Sequence, residues 1–296
     1  MTDRATRIGA TARATPRRRS RLGLGDSARA DYKPPQFSLE DLMRLPAPPP
    51  GKAFDNLYFM GSKWVSAWAI PTSAGIVVVD AMDNDEEAQR IVEGAMRTLG
   101  LDPAQIRTVV VTHGHGDHYG GANYLKQRFN ARVAMSHPDW QMTETKLEFD
   151  SPLWGRPPKR DVALAEGDTV RLGDTAIEII GTPGHTMGTI SLLFPVREGS
   201  KTHQALLWGG TAFNFGKQPA RLCTYFDSVE RTRRIAADRG VDVFISNHNI
   251  YDQALDKLAR TQADNPNPFV QGTQSVQRAL TVMSECGRAV LASWEA

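Results

Sequence analysis

Thr112-His113-Gly114-His115-Gly116-Asp117-His118 follows directly on the apolar run Thr108-Val109-Val110-Val111. Three imidazoles and a carboxylate so close together are too many ionisable groups for a core and too regularly spaced for a casual polar loop. Alternate residues of an extended segment point the same way, so His113 and His115 can reach one metal. Asp117 and His118, past the next glycine, can turn toward a second. Gly114 and Gly116 remove side chains that would obstruct the turn. Such a composition is what a zinc site requires.

Two more histidines complete the ligand set. His185 follows Thr182-Pro183-Gly184 at the end of an apolar strand, and His248 follows Val243-Phe244-Ile245-Ser246-Asn247. Either alone reads as an ordinary loop histidine. Together with the loop they give two sets of three: His113, His115 and His185, then Asp117, His118 and His248. Three protein ligands with an open position is the pattern of catalytic zinc. His137 and His203, beside Pro138 and in the polar stretch 198–202, read as non-ligands.

Outward from these points the chain alternates strands and helices. Strands are expected at 57–60, 65–70 and 75–80, the last an apolar run ending on Asp80, with a helix over 85–99 stopped by Gly100. After the histidine loop come a helix over 121–129, a strand at 132–136 and a helix over 139–147. A hairpin at 169–180 turns on Gly173-Asp174. Strands at 189–194, 205–208 and 241–246 follow, with helices over 228–239 and 273–292. The pattern predicts an α+β fold, two sheets packed together with helices outside. Residues 1–53, basic and holding Pro34-Pro35, Pro46 and Pro48-Pro49-Pro50, read as a disordered or extended segment before a catalytic domain at 54–296.

The formal charge of +2 over 296 residues hides an uneven distribution. Residues 1–30 carry eight arginines against Asp3 and Asp26, so the remainder is net −4. The folded part therefore offers no global case for a nucleic-acid partner. No apolar run is long enough for a membrane-spanning helix. Cys223 and Cys286 supply neither a disulfide framework nor a cysteine zinc site, and whether they pair is left open. No secretory signal is evident in the Arg-rich tail; the chain as written reads as cytoplasmic, or periplasmic if the true start differs. The expected partner is a small-molecule substrate, with oligomeric state undetermined.

The strand ending on Asp80, the His-X-His-X-Asp-His loop, the Thr-Pro-Gly-His-Thr turn and the late His248 resemble the metallo-β-lactamase superfamily, over roughly residues 54–292. That resemblance implies an αβ/βα sandwich of two mixed sheets with the metals at one edge, and gives Asp80 the role of supporting the histidine loop without binding metal. Many superfamily hydrolases of the glyoxalase II type place a metal-bridging Asp after the strand matching 205–208, where this chain has Gly209-Gly210-Thr211-Ala212. The absence of Cys and Asp there leaves a pattern similar to class B, subclass 3 metallo-β-lactamases. Asn56-Leu57-Tyr58-Phe59-Met60-Gly61 and Asn267-Pro268-Phe269-Val270 add weaker likeness.

The resemblance implies two zinc ions sharing a hydroxide that opens a cyclic amide, with Asp117 orienting the hydroxide. A β-lactam ring is the first reading. A lactonase or other ester or thioester hydrolase is the second, and an iron-dependent sulfur dioxygenase the third. A diiron oxidoreductase fits less well, since that type usually has Glu where this chain has His115. Thr211 and Asn214 match positions that contact the substrate carboxylate in the subclass, and equally suit turn residues. Trp140, Trp154 and Arg156 are candidates for the pocket wall.

Overall fold

Val77 and Val79 pack into a layer between two sheets, while Ile76 and Val78 of the same strand pack against helices outside. A strand covered on both faces has no polar side, which is why 76–79 reads as an unbroken apolar run. The computed structural model describes residues 38–261 and 266–295. Seven strands form the first sheet in sequence order: β1 (Gly51–Phe54), β2 (Leu57–Phe59), β3 (Trp68–Thr72), β4 (Gly75–Val79), β5 (Ile106–Val110), β6 (Arg132–Ser136) and β7 (Val162–Leu164). Neighbours from β1 to β4 are antiparallel and those from β4 to β7 parallel.

The second sheet has five strands: β8 (Thr169–Leu172), β9 (Thr175–Gly181), β10 (Ile190–Glu198), β11 (Lys201–Trp208) and β12 (Val243–Ser246). Its order is β12-β11-β10-β9-β8, antiparallel except for the parallel β11–β12 pair. Phe59, Trp68, Ile179, Leu192, Phe194 and Ile245 fill the space between the sheets. The helix Pro219–Asp238 and the C-terminal helix Thr273–Glu295 cover the outer face of the second sheet, where Leu206, Trp208, Tyr225 and Leu280 meet. Two mixed sheets flanked by helices match the expected sandwich.

Several boundaries depart from expectation. Gly51–Phe54 is a strand and Leu39–Met43 a short helix, so ordered structure begins well before residue 54. Ser38 caps that helix reciprocally with Asp41, a local signal outweighed in the sequence by the surrounding prolines. The rest of the expected disordered or extended segment, residues 1–37, lies outside the described residues. The helix expected over 85–99 is present but passes through a π-helical stretch at Ala88–Glu93. The helix expected at 228 starts at Pro219, because proline suits the first turn of a helix, where its missing N–H costs nothing. His203 lies in β11 and not in a turn; its Nδ1 sits 2.6 Å from Asp242.

Candidate metal centre

The parallel strands β4 and β5 end together, and their exits build the site. Asp80, just past β4, takes a left-handed φ of 59°, a costly conformation for a residue with a side chain. Its carboxylate accepts hydrogen bonds from Thr112 N (2.8 Å), Thr112 Oγ1 (2.9 Å) and His118 Nδ1 (2.8 Å). Three bonds to a fully buried carboxylate hold both the start and the end of the histidine loop.

The histidines are aimed by what their other ring nitrogens do. His113 Nδ1 donates to Gly209 O and His185 Nδ1 to Ala212 O, each at 2.8 Å. An imidazole whose Nδ1 carries the proton has a bare lone pair on Nε2. These two Nε2 atoms face each other at 3.0 Å. His248 Nδ1 donates to Trp64 O at 2.9 Å, and its Nε2 lies 3.2 Å from His118 Nε2. Asp117 Oδ2 is 3.2 Å from His118 Nε2 and 3.6 Å from His248 Nε2. His115 turns its Nε2 toward Glu148 Oε2 at 3.4 Å, leaving Nδ1 as its free ring nitrogen.

The two expected ligand sets are thus each brought together. Ligand atoms of His113, His115 and His185 lie within 4.8 Å of one another, and those of Asp117, His118 and His248 lie 3.2–3.6 Å apart. Buried lone pairs facing lone pairs are mutually repulsive until a cation lies between them. The electrostatics of His113, His185 and His248 agree. Burial, with the charge of neighbouring imidazoles, pushes His113 and His185 well below their ordinary value and His248 down to about 4. Against the cost of burial, Asp117 and Asp80 push His118 up to about 10. Against the same cost, His118 holds Asp117 below the usual carboxylate range. The donor set, five imidazoles and one carboxylate, fits a divalent metal.

Residues distant in sequence fix this arrangement. Asp139 is buried at the first turn of the helix His137–Thr145. Its carboxylate accepts from Gly114 N (2.8 Å), Thr186 Oγ1 (2.7 Å) and Gly188 N (3.0 Å), tying the histidine loop to the turn bearing His185. Arg221 donates to both oxygens of Glu148 and to the carbonyls of Gly184 and His185, and stacks 4.2 Å over Phe215. Despite partial burial, His115 and Arg221 hold Glu148 down to about 2. Trp154 donates to Asp83 at 2.9 Å and packs directly over Gly116, where any Cβ would collide with the indole. Burial and the Asp117 charge push Asp83 up to about 9. Sequence reading singled out none of Asp83, Asp139, Glu148 or Arg221. Ser136-His137-Pro138-Asp139 marks a capped helix start, but not the three bonds Asp139 makes beyond it.

A cleft of about 530 Å³ opens over the ligands, with Trp64, Phe149, Trp154 and Tyr251 as walls and Leu39 and Leu42 at its edge. Asn214 lines this cleft, whereas Thr211 lines a neighbouring cavity. Of the other wall candidates, Trp154 is in place. Trp140 is wholly buried, donating to Val162 O, and Arg156 points to solvent. Gly209 and Gly210, at the exit of β11, are enclosed. A Cβ on Gly209 would lie 1.8 Å from Ile190 O, and one on Gly210 2.6 Å from His185 Cβ.

Comparison with known proteins places these observations. Residues 65–198 match the model of the metallo-beta-lactamase superfamily. A hydroxyacylglutathione hydrolase of Acidiphilium cryptum is 32% identical over 128 residues, 43% of this chain and 44% of that protein. One from Cereibacter sphaeroides is 30% identical over 163 residues, 55% of this chain and 56% of that protein. The chain thus spans about half the length of these curated relatives. Among solved structures, BJP-1, a subclass B3 metallo-beta-lactamase of Bradyrhizobium japonicum, superposes with a TM-score of 0.75 at 24% identity, covering 83% of this chain and 95% of that one. FEZ-1 metallo-beta-lactamase from Legionella gormanii gives 0.77 at 21%, covering 85% and 99%. These likenesses establish the fold.

Proposed function

We propose that this chain is a hydrolase of the metallo-β-lactamase superfamily, as the match of residues 65–198 to that family's model supports, and that it opens the amide of a β-lactam ring with two zinc ions. The closed exit of β11 carries this reading. Neither Gly209 nor Gly210 has room for a side chain, so no bridging carboxylate stands there, and Asp117 is the one carboxylate among the ligands. That absence favours the subclass 3 pattern over the glyoxalase II one.

His113, His115 and His185 would hold one ion, and Asp117, His118 and His248 the other. A set dominated by imidazole suits zinc. Bound there, zinc polarises a carbonyl and makes a water molecule acidic near neutral pH. The chain's own residues do the rest. Asp117, held ionised, accepts a hydrogen bond from the attacking water and orients it toward the carbonyl. Asn214 offers its amide to the substrate carboxylate. Trp64, Phe149 and Trp154 shield the reacting carbonyl from bulk water, so fixed charges act more strongly on it.

Zinc-loaded protein is expected to hydrolyse a penicillin, a cephalosporin and a carbapenem, followed by loss of β-lactam absorbance. No turnover of any of the three would overturn the assignment. Thioester hydrolysis is the second reading, favoured by the hydroxyacylglutathione hydrolase relatives. Efficient turnover of S-lactoylglutathione in the same assay, with β-lactams untouched, would establish it instead. Iron as the main metal after native purification would remove both zinc readings.

A further inference from the structure

A second cavity, of about 630 Å³, lies beside the metal cleft. Ala212, Asn214 and Tyr251 line both, so the two spaces meet along a shared wall. Its far side is one face of the C-terminal helix, carrying Ala279, Val282, Met283, Cys286 and Val290 at helical spacing. Tyr225 and Phe244 form its floor. Among the described residues that line it, none carries a charge. Val282 is 59% exposed at the rim.

An uncharged, mostly apolar space beside a reactive centre is the usual form of a small-molecule site.

We propose that this cavity receives an unbranched, uncharged apolar chain of the substrate, such as a medium-length acyl group, whose scissile carbonyl lies over the histidine cluster. The inference rests on the hydrolase reading and adds a specificity to it. Adjacency to the metal cleft selects this occupant, because Ala212, Asn214 and Tyr251 line both spaces and a chain attached to a substrate held over the histidines is within reach of the cavity.

Calorimetric titration of the zinc-loaded full chain with butanamide and octanamide tests it without turnover. Each buried methylene strengthens binding by up to about fourfold, so octanamide is expected to bind at least about tenfold more tightly. Ala279→Phe, which fills the cavity, is expected to abolish that preference. Val282→Glu, at an exposed rim position that tolerates charge without refolding the core, is expected to weaken it. Kinetics run in parallel: kcat/KM for 4-nitrophenyl octanoate should fall at least tenfold in Ala279→Phe, with 4-nitrophenyl acetate unchanged.

Equal affinity for the two amides, or a preference that survives both variants, would overturn the proposal. So would a parent dimer that Val282→Glu converts to monomer with octanamide unbound, which would make this face a contact between copies. If no ester or lactam is turned over while octanamide binding behaves as expected, the hydrolase substrate assignment fails and the cavity stands.

Discussion

Asp80 and Glu148 perform the same task at opposite ends of the metal centre, in contrasting surroundings. Each accepts a hydrogen bond from the outward nitrogen of a histidine, His118 for Asp80 and His115 for Glu148. Asp80 is wholly buried, and its other bonds go to Thr112, in the strand exit that starts the loop. Glu148 is one-fifth exposed and shares its charge with Arg221. Such outer partners set the tautomer and orientation of a ligand imidazole. A partner inside the strand framework fixes the ligand and the fold together. A partner on a loop fixes the ligand alone.

The largest expected effect therefore belongs to Asp80. Asp80→Ala leaves Thr112 N and His118 Nδ1 buried without an acceptor, at a cost of about 3–5 kcal/mol in unfolding free energy. Urea denaturation measures that cost, and metal analysis after dialysis should show one ion lost. Asn tolerates the left-handed backbone, so Asp80→Asn should recover much of the stability while still losing metal. If Asp80→Ala unfolds at the same urea concentration as the parent, Asp80 is no more integral to the fold than Glu148, and the contrast collapses.

Asp139 comes next, since it ties the two ligand-bearing loops together without touching a histidine. Asp139→Ala is expected to lower metal affinity about 10–100-fold. Chelator competition reads this directly. Unchanged affinity would mean that the loops hold their places unaided.

Glu148→Gln should act on the first ion only. Gln keeps one acceptor for Arg221 and loses the charge facing His115, so a weakening of about tenfold in metal affinity is expected, with the urea midpoint unmoved. A shifted midpoint would show that Glu148, like Asp80, belongs to the framework.

The contrast also explains what the sequence could reveal. Asp80 closes an apolar run, and the six ligands sit at strand exits or in a dense motif, so local pattern exposes them. Gly209-Gly210 is visible as an absence, and only the packing of Ile190 and His185 around it shows that no side chain fits. Glu148 meets His115 across 33 positions and Arg221 across 73, separations over which no local pattern operates. Arg221 reads simply as a charged residue on a helix. The strand at Gly51–Phe54 was hidden by three preceding prolines, which signal extended chain but not the partner β2. Thr211 lines the neighbouring cavity and Trp140 is wholly buried, because chain position fixes proximity to the site but not the direction in which a side chain points.

Asp252 supplies the smallest effect and the control. Like Asp80 it is a buried carboxylate bonded to backbone N–H groups, those of Ser246 and Ala254, but no imidazole faces it. Among the described residues the charge acting on it is that of Lys257, itself pushed down by burial. Burial raises Asp252 to about 7, against the partial relief from Lys257. A carboxyl raised on folding contributes stability in its protonated form, fully present below the unfolded value and lost as pH rises through about 7. The protein should therefore lose more unfolding free energy between pH 5 and pH 8 than Asp252→Asn does, by on the order of 1–2 kcal/mol. Urea melts at the two pH values give the difference. Equal slopes would mean that backbone donors alone suffice to hold a buried carboxylate ionised here.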